Sequence, residues 1–341
     1  MSTIVFFCIP AYGHTTPTLG VVRELAARGH KVVYYSYDTM RKPIEAAGAA
    51  FVSCNAYDAE QRLSPKDGER LGRDLAFSTQ VLVDTTLALD NAILSDMRAL
   101  APDCIVADSM ALWGKLIAKK LDIPFVSSTT TFAFNRYSAK IMKQSPAQLF
   151  GMLVSMPKIG RENKRLQAAG YPVKSVLDII QNDENLDTIV YTSPEFQPCA
   201  DTFPAAHYAF VGPSIRPAEM RMEKSAQPLV YISLGTVVND QLAFYQQCVA
   251  ALADGPCRVI LSIGEQVKPA ALGTLPGNVE VHAHVDQIAV LQIADVFLTH
   301  CGMNSASEAL YFGVPLVMFP QTPEQGGVCT RVLELGAGVK L

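Results

Sequence analysis

The chain has 341 residues, of which 49% are hydrophobic and 18% charged, with a formal net charge of −4. These values exclude an intrinsically disordered polymer, because enough apolar surface is present to form sizeable cores. A prior of about 150 residues per domain predicts two domains. The sequence has no block of Lys or Arg, which argues against nucleic acid as the main partner, since phosphate backbones bind to basic surfaces.

The amino-terminal segment does not have the pattern of a signal peptide. It lacks a basic n-region, and its apolar run Ile4–Ile9 ends at Pro10 and a Gly-His loop. No apolar stretch reaches the roughly 18 residues needed to span a bilayer. The eight cysteines are scattered, without a C-x-x-C pair or a His at zinc-ligand spacing. A cytoplasmic protein with buried free thiols, and without a transmembrane segment, is predicted.

Short apolar runs alternate with helical patterns in the first half of the chain. This alternation is typical of a parallel sheet covered by helices on both faces. Helices are predicted near Leu19–Arg28 and Leu112–Leu121, and the polar segment Asn55–Arg73 is predicted to be a mobile loop at the mouth of a site. The predicted strands are Ile4–Ile9, Lys31–Ser36, Asp103–Ala107, Pro124–Ser127 and Thr188–Thr192.

A change of composition separates the two halves. Residues 214–228 are rich in proline and charge, and they are predicted to link a domain over residues 1–213 to one over residues 229–341. We therefore predict an α/β fold of two Rossmann-like doubly wound domains that face each other across a cleft, with ligands at the carboxyl ends of the strands. The second domain is predicted to contain a helix at Met303–Phe312, a turn into a new strand at Gly336–Leu341, and strands at Leu229–Ser233, Arg258–Ser262, Val279–His282, Asp295–Thr299 and Pro315–Phe319.

The densest group of polar residues follows the predicted strand Asp295–Thr299 and opens the next helix. The amino end of a helix offers unpaired N–H groups and a positive dipole end, which suit a phosphate. Gly302 permits close approach to the backbone, and His300 adds a donor, while Glu308 is placed to accept both hydroxyls of a ribose. A simple helix cap at Asn304 or Ser305 is the alternative, but the combination favours a nucleoside diphosphate site.

These residues form part of a longer family resemblance. The sequence HCGMNSASEAL, preceded by HVDQIAVLQIADVFLT and followed by PLVMFPQTPEQ, resembles the donor-binding signature of family-1 glycosyltransferases, in particular the bacterial macrolide-type glucosyltransferases. The resemblance extends to PAYGHTTP, TSPEFQP, VGPSI and VYISLGT, and so to most of the chain. It implies the GT-B fold and a UDP-sugar donor. The family normally continues into a helix that crosses back onto the first domain, so the resemblance implies that the second domain is truncated at its carboxyl end.

The resemblance also implies roles in donor binding. Plant members usually place Trp where His284 stands, so this sequence departs from the family at a position that stacks on uracil. Without the surrounding match, Glu324 would be an ordinary acidic residue in a first helical turn. The implied ligands are His300, Gly302, Asn304, Ser305, Ser233 and Thr236 for the diphosphate, Glu308 for the ribose, Val285 and Gln287 for the uracil and neighbouring ribose, and Glu324 and Gln325 for the sugar hydroxyls.

Two residues of the first half, His14 and Asp108, match the family's catalytic pair. His14 is predicted in the loop after the first strand, and Asp108 closes the strand Asp103–Ala107. Taken singly, they would be a surface histidine and a helix cap. As a pair they suit base catalysis near neutral pH, with the acid orienting the imidazole. The implied reaction is a single displacement that inverts the anomeric carbon, without a metal ion, since the sequence has no D-x-D.

The predicted function is transfer of a hexose, by default glucose, to a hydroxyl of a small hydrophobic acceptor such as a macrolide, a flavonoid or other polyphenol, or a sterol. The UDP-sugar is a co-substrate and no further cofactor is expected. The apolar segments Phe132–Phe134 and Ala147–Met152 fit either an acceptor surface or core packing. A UDP-sugar epimerase and a sugar-nucleotide-binding protein without turnover are alternatives, whereas the absence of G-x-G-x-x-G after the first strand argues against a nicotinamide dehydrogenase. The sequence does not indicate the oligomeric state.

Overall fold

The chain folds into two compact units, Met1–Ser214 and Ile215–Leu341, in the computed structural model. The structure describes residues 1–9, 11–55, 74–138, 146–173, 185–236 and 238–341, without the side chains at 91, 146–150, 152 and 153. The predicted mobile loop Asn55–Arg73 lies outside the described residues from position 56 onward. Within these ranges, no helix is long and apolar enough to cross a membrane.

The first unit is built around a parallel sheet in the order β3-β2-β1-β4-β5-β6-β7, once its strands are numbered along the chain. Those strands are β1 Thr3–Phe7, β2 Lys31–Ser36, β3 Ala50–Ser53, β4 Cys104–Asp108, β5 Phe125–Thr129, β6 Thr188–Val190 and β7 Tyr208–Phe210. The helices of the unit are α1 Tyr12–Ala27, α2 Arg41–Ala46, α3 Leu75–Leu100, α4 Leu112–Leu121 and α5 Pro146–Ala168, with short 3₁₀ turns at Asp38–Met40 and Ala200–Thr202.

Helices cover both faces of this sheet because successive side chains of a strand point to opposite sides. Phe7 lies in a core cluster with Leu89 of α3 and Trp113 of α4. Its neighbour Phe6 lies in a different cluster, with Leu19 of α1. A strand that is buried on both faces has a continuous apolar sequence. This explains why apolar and polar residues do not alternate in the run at the amino terminus.

The second unit repeats the arrangement with a parallel sheet in the order β10-β9-β8-β11-β12-β13. Its strands are β8 Leu229–Ser233, β9 Arg258–Ser262, β10 Val279–His282, β11 Val296–Thr299, β12 Leu316–Met318 and β13 Gly338–Lys340. Its helices are α6 Leu242–Leu252, α7 Gln287–Leu291, α8 Met303–Tyr311 and α9 Pro323–Glu334, with a 3₁₀ turn at Pro269–Leu272. The predicted fold class, two Rossmann-like doubly wound domains, is confirmed.

In each sheet the strand order reverses between two central neighbours. These are β1 and β4 in the first unit, where Phe7 pairs with Ala107, and β8 and β11 in the second, where Ser233 pairs with Thr299. Doubly wound folds bind ligands at such a reversal of strand order, beyond the carboxyl ends of the strands.

One predicted element is wrong in a way that affects the site. The first helix begins at Tyr12 and not near Leu19, so His14 lies in its first turn and not in a loop. Gly13, Thr15, Thr16 and Pro17 all have low helix propensity, which hides this turn in the sequence. Tertiary packing overrides that propensity, since Thr15, Pro17 and Thr18 are buried.

The segment predicted as a linker is held against the second unit by ion pairs. Arg216 contacts Asp286 at 2.6 Å, and Lys224 contacts Asp295 at 2.7 Å. Asp286 also accepts a hydrogen bond from the backbone N–H of Glu219 at 2.6 Å. Residues 215–228 thus form an ordered edge of the second unit.

Candidate active site

The predicted catalytic pair is assembled in the first unit at the point where the strand order reverses. His14 is presented by α1 after β1, and Asp108 is the last residue of β4. The Nδ1 of His14 lies 2.8 Å from Oδ2 of Asp108, whose side chain is completely buried, whereas that of His14 is 23% exposed. If Nδ1–H donates to the carboxylate, the lone pair of the neutral imidazole lies on Nε2.

Asp108 does not cap the helix that follows, which was the alternative interpretation. Helix α4 begins after Ala111 and has no side-chain cap. Instead, Oδ1 of Asp108 accepts a hydrogen bond from the backbone N–H of Met110 at 2.9 Å. Since its other oxygen faces His14, the carboxylate is fixed at both oxygens and holds the imidazole in one orientation.

A third residue of this group, Thr130, was not predicted from the sequence. It directly follows β5, the strand next to β4, and its side chain is buried. Its Oγ1 lies 3.1 Å from Nδ1 of His14. The available signal was its position: Thr130 follows the carboxyl end of a strand at the same sheet edge as Asp108.

The second unit places the amino end of α8 at its own strand reversal, directly after β11. The residue before the helix is Gly302, and no side chain caps it. The alternative interpretation, a cap at Asn304 or Ser305, is therefore wrong, since both lie inside the helix. An uncapped helix start presents its positive dipole end, which suits an anion.

His300 is wedged between two glycines. A Cβ at Gly235 would come within 2.6 Å of Cε1 of the His300 ring, and one at Gly302 within 2.5 Å of its Nε2. Both positions must therefore be glycine for the imidazole to fit. Burial lowers the pKa of His300 to about 4, against a partly compensating hydrogen bond with the backbone of Ser233. The ring is consequently neutral at neutral pH.

The predicted second phosphate-binding loop leaves β8 beside this ring. Ser233 is buried, and its Oγ accepts a hydrogen bond from the N–H of Gly235 at 3.3 Å. Gly235 has a φ of +79°, which an L residue rarely adopts, and Thr236 after it is exposed. The two predicted phosphate-binding segments, one after β8 and one after β11, are thus in direct contact through Gly235 and His300.

Three residues predicted to recognise the nucleoside and diphosphate form one hydrogen-bonded group. Nε2 of Gln287 donates to Oε2 of Glu308 at 2.6 Å and lies 3.4 Å from Oγ of Ser305. The Tyr231 hydroxyl donates to Oε1 of Gln287 at 3.1 Å, a contact not predicted from the sequence. In a carboxamide, Oε1 only accepts and Nε2 only donates hydrogen bonds. The bond from Tyr231 to Oε1 therefore fixes Nε2 as the end that faces Glu308.

Glu308 is held in a setting that disfavours its charge. Burial raises the pKa of its carboxyl group, and the hydrogen bond from Gln287 opposes the shift only in part. The positive charge of Arg216 also lowers this pKa, whereas Asp286 raises it. A buried carboxylate gains most from a ligand that donates hydrogen bonds to it, as a pair of ribose hydroxyls does.

The remaining predicted ligands, Val285, Glu324 and Gln325, are half-buried or exposed. Val285 is half-buried, and His284 beside it is exposed, with Nε2 3.5 Å from Oε1 of Glu265. Glu324 is exposed in the first turn of α9. Gln325 has a structural role, because its Oε1 accepts hydrogen bonds from the backbone N–H groups of Gln321 at 2.7 Å and Thr322 at 3.2 Å. Its remaining hydrogen-bonding capacity is donation from Nε2.

The apolar segments predicted as a possible acceptor surface give a mixed result. Phe132 and Ala133 are buried, and the Phe132 ring lies 5.3 Å from that of Phe196, so core packing is the correct interpretation for these two residues. The side chains of Ala147–Phe150 and of Met152 lie outside the described residues.

Comparison with known proteins identifies the family of the chain. Residues 207–341 match the family described as UDP-glucoronosyl and UDP-glucosyl transferase. The chain is 32% identical to the NDP-glycosyltransferase YjiC of Bacillus subtilis (strain 168), over 98% of this chain and 83% of that protein. It is 34% identical to the demethyllactenocin mycarosyltransferase of Streptomyces fradiae, over 99% and 75% of the two chains.

A solved structure of the glycotransferase of kitacinnamycin superimposes with a TM-score of 0.82 at 28% identity, covering 100% of this chain and 86% of that one. The calicheamicin glycosyltransferase CalG4 gives a TM-score of 0.76 at 30% identity, covering 100% and 85%. The family match, the sequence identity to these relatives and the GT-B fold lead to one conclusion. The chain belongs to the UDP-glucosyl transferase family, family 1 of the glycosyltransferases, and is a glycosyltransferase.

Proposed function

We propose that this enzyme transfers a hexose, by default glucose, from a UDP-sugar to a hydroxyl group of a small hydrophobic natural product, with inversion at the anomeric carbon. The observation that carries the proposal is the contact of 2.8 Å between His14 and the buried carboxylate of Asp108. It supports a histidine base of fixed orientation, which a protein that only binds sugar nucleotides would not need.

In the proposed reaction, Nε2 of His14 takes the proton of the acceptor hydroxyl as its oxygen attacks the anomeric carbon. The bond from that carbon to the β-phosphate oxygen breaks on the opposite face, and UDP leaves with the bonding pair. Asp108 stabilises the imidazolium that forms, because it already faces Nδ1 and is fixed by the Met110 N–H. A single displacement of this kind inverts the configuration.

The leaving diphosphate is assigned to the uncapped start of α8 and the loop after β8. Backbone N–H groups near Gly302 and Thr236, together with His300, Asn304 and Ser305, would stabilise its charge with dipoles that are already oriented. We propose that these groups perform the task that a divalent cation performs in other nucleotide enzymes, so that the enzyme works without a metal ion.

The sugar nucleotide is assigned as a ribonucleotide on the basis of Glu308 and Gln287. Their hydrogen-bonded pair places a carboxylate where ribose hydroxyls are expected to donate. Val285 would contact the base, while Glu324 and Nε2 of Gln325 would face the sugar hydroxyls. The proposed acceptor class is supported by the relatives, which include enzymes named for demethyllactenocin and oleandomycin.

The test is incubation with UDP-glucose and a panel of phenolic and macrolide acceptors in the presence of EDTA, with UDP release and product mass as readouts. UDP release that depends on an acceptor, with a hexose gain in product mass, is the expected result. Binding of UDP-glucose without modification of any acceptor would favour a binding protein. Conversion of the free sugar nucleotide without an acceptor would favour an epimerase.

A further inference from the structure

Asn239 lies in the loop after β8 and is not among the predicted site residues. The residue is only 3% exposed. Nδ2 donates a hydrogen bond to the carbonyl oxygen of Gly235 at 2.9 Å, while Oδ1 is buried and meets no donor among the residues that the structure describes. Asn239 therefore acts on the backbone of the loop that was predicted to bind phosphate.

The bond to the Gly235 carbonyl sets the direction of the next N–H group. The described part of the chain has no cis peptide bond. In a trans peptide the carbonyl and the following N–H point in opposite directions. Since Asn239 holds the carbonyl of Gly235 on the buried side, the N–H of Thr236 points to the opposite side. In the described ranges, no acceptor takes the Thr236 N–H.

Close packing on both sides leaves the Asn239 carboxamide little freedom. A Cβ at Gly264, which has a φ of +71°, would clash with Nδ2 of Asn239. On the other side, Gly235 touches the ring of His300. One continuous series of contacts thus connects Gly264 after β9, Asn239, Gly235 after β8 and His300 after β11.

We propose that Asn239 is a positioning residue of the donor site, which orients the Gly235–Thr236 peptide so that its N–H binds the diphosphate of the sugar nucleotide. The inference rests on the proposed function, because that function supplies the diphosphate. Asn239 itself need not touch the ligand. Without its hydrogen bond, the peptide can rotate about the glycine, and the diphosphate loses an oriented donor.

The same unit contains a matched control residue, Asn278. Its Nδ2 donates to the carbonyl oxygens of Leu252 and Cys257, both at 2.9 Å, and its Oδ1 is also buried without a donor in the described part of the chain. Asn278 directly precedes β10, so it lies at the amino ends of the parallel strands, away from the edge that carries the site. If both residues had a purely structural role, their replacement should affect UDP binding equally.

The experiment compares Asn239→Ala and Asn278→Ala in the full chain, with titration calorimetry of UDP, inhibition by uridine, donor KM and thermal unfolding. Both variants are expected to unfold at a lower temperature than the unchanged protein. Only Asn239→Ala is expected to weaken UDP binding and raise the KM for UDP-glucose, by about tenfold, the effect of one lost hydrogen bond to a charged group. Inhibition by uridine, which lacks the diphosphate, should stay within about twofold.

A second variant, Asn239→Asp, keeps the shape of the side chain but replaces the donor with an acceptor that repels the Gly235 carbonyl. It should weaken UDP binding at least as much as Asn239→Ala. If UDP binds equally to the Asn239→Ala and Asn278→Ala variants, the positioning role is wrong. If the unchanged protein does not bind UDP at all, the proposed function is wrong, and the two failures are distinguished by this one measurement.

Discussion

The two units share a strand order and place their polar groups at the same kind of strand reversal. The first unit presents mostly side chains there, whereas the second presents mostly backbone. The first unit presents side chains, a half-buried imidazole on a buried carboxylate, at the ends of β1 and β4. The second presents mainly backbone, in the form of the turn at Gly235 after β8 and an uncapped helix start after β11. Beside this backbone lie the half-buried side chains of His300, Glu308 and Gln287. Burial disfavours the charged forms of His300 and Glu308, since it lowers the pKa of the first and raises that of the second.

Under the proposed function, the difference corresponds to two chemical tasks. A base must exchange a proton with its substrate, so it needs a titratable side chain that remains accessible. A diphosphate already carries its charge and is stabilised by dipoles that do not reorganise, for which backbone N–H groups are well suited. The comparison therefore predicts that changes in the first unit affect turnover, whereas changes in the second affect donor binding and stability.

The largest effect is expected for His14→Ala. Loss of a general base lowers kcat by about a thousandfold, while the affinity for UDP stays within about twofold. Steady-state kinetics and calorimetry measure the two quantities. His207→Ala is the matched control, because His207 also pairs with an aspartate, Asp187, at 2.8 Å but precedes β7 at the other end of the strands. Equal losses of kcat in the two variants would remove His14 from the mechanism.

A smaller effect is expected in the pH dependence of stability, through His300. Burial lowers its pKa to about 4, below the value of 6.5 for an unperturbed histidine. The neutral ring is therefore favoured by folding: its contribution is fully present above pH 6.5 and is lost as the pH falls towards 4. The loss amounts to about 3 kcal/mol. Urea unfolding at pH values between 7 and 4 measures the free energy of unfolding, which should depend less on pH in His300→Gln than in the unchanged protein. Parallel curves for the two proteins would contradict the assignment.

For Glu308→Gln, stability and binding should change in opposite directions. Burial raises the pKa of Glu308, so its contribution to stability is present at acid pH and is lost as the pH rises through the folded-state pKa. The neutral amide should therefore raise the unfolding temperature at pH 7.5. The affinity for UDP should fall about tenfold, by the loss of hydrogen bonds to a charged group. Since 2′-deoxy-UDP lacks one ribose hydroxyl, the preference for UDP over it should shrink; an unchanged preference would count against the ribose assignment.

The smallest effect is expected for Thr130→Val, which removes the hydroxyl 3.1 Å from Nδ1 of His14 at nearly constant volume. A weakened orientation of the imidazole should lower kcat by about threefold, equivalent to somewhat less than 1 kcal/mol. Thr131→Val serves as the control, since the Thr131 hydroxyl faces the Phe132 carbonyl at 3.4 Å instead. If both variants keep full activity, Asp108 alone orients His14.

Much of this architecture could be predicted because buried parallel strands are continuous apolar runs. The predicted strands Lys31–Ser36, Leu229–Ser233, Arg258–Ser262 and Val279–His282 agree with the structure at both ends. The start of α1 could not be predicted, because the packing of Thr15 and Thr18 outweighs their low helix propensity.

Contacts between distant residues were the least accessible from sequence. Thr130 and His14 are 116 positions apart, and Tyr231 and Gln287 are 56 apart. Their proximity depends on which strands are neighbours and in which register, and local patterns do not contain that information. The importance of Asn239 was hidden for a related reason, since its partner is a backbone carbonyl and not a side chain.

The capping box at the start of α9 limits how the sugar preference of this enzyme can be redesigned. Gln325 and Thr322 bond to each other's backbone, so replacing Gln325 removes half of a capping box together with the proposed sugar contact. Glu324, next to it, is exposed and takes no part in the box. Libraries that aim to change the transferred sugar should therefore vary position 324 first and keep glutamine at 325, since substitutions there also cost about 1 kcal/mol of helix capping.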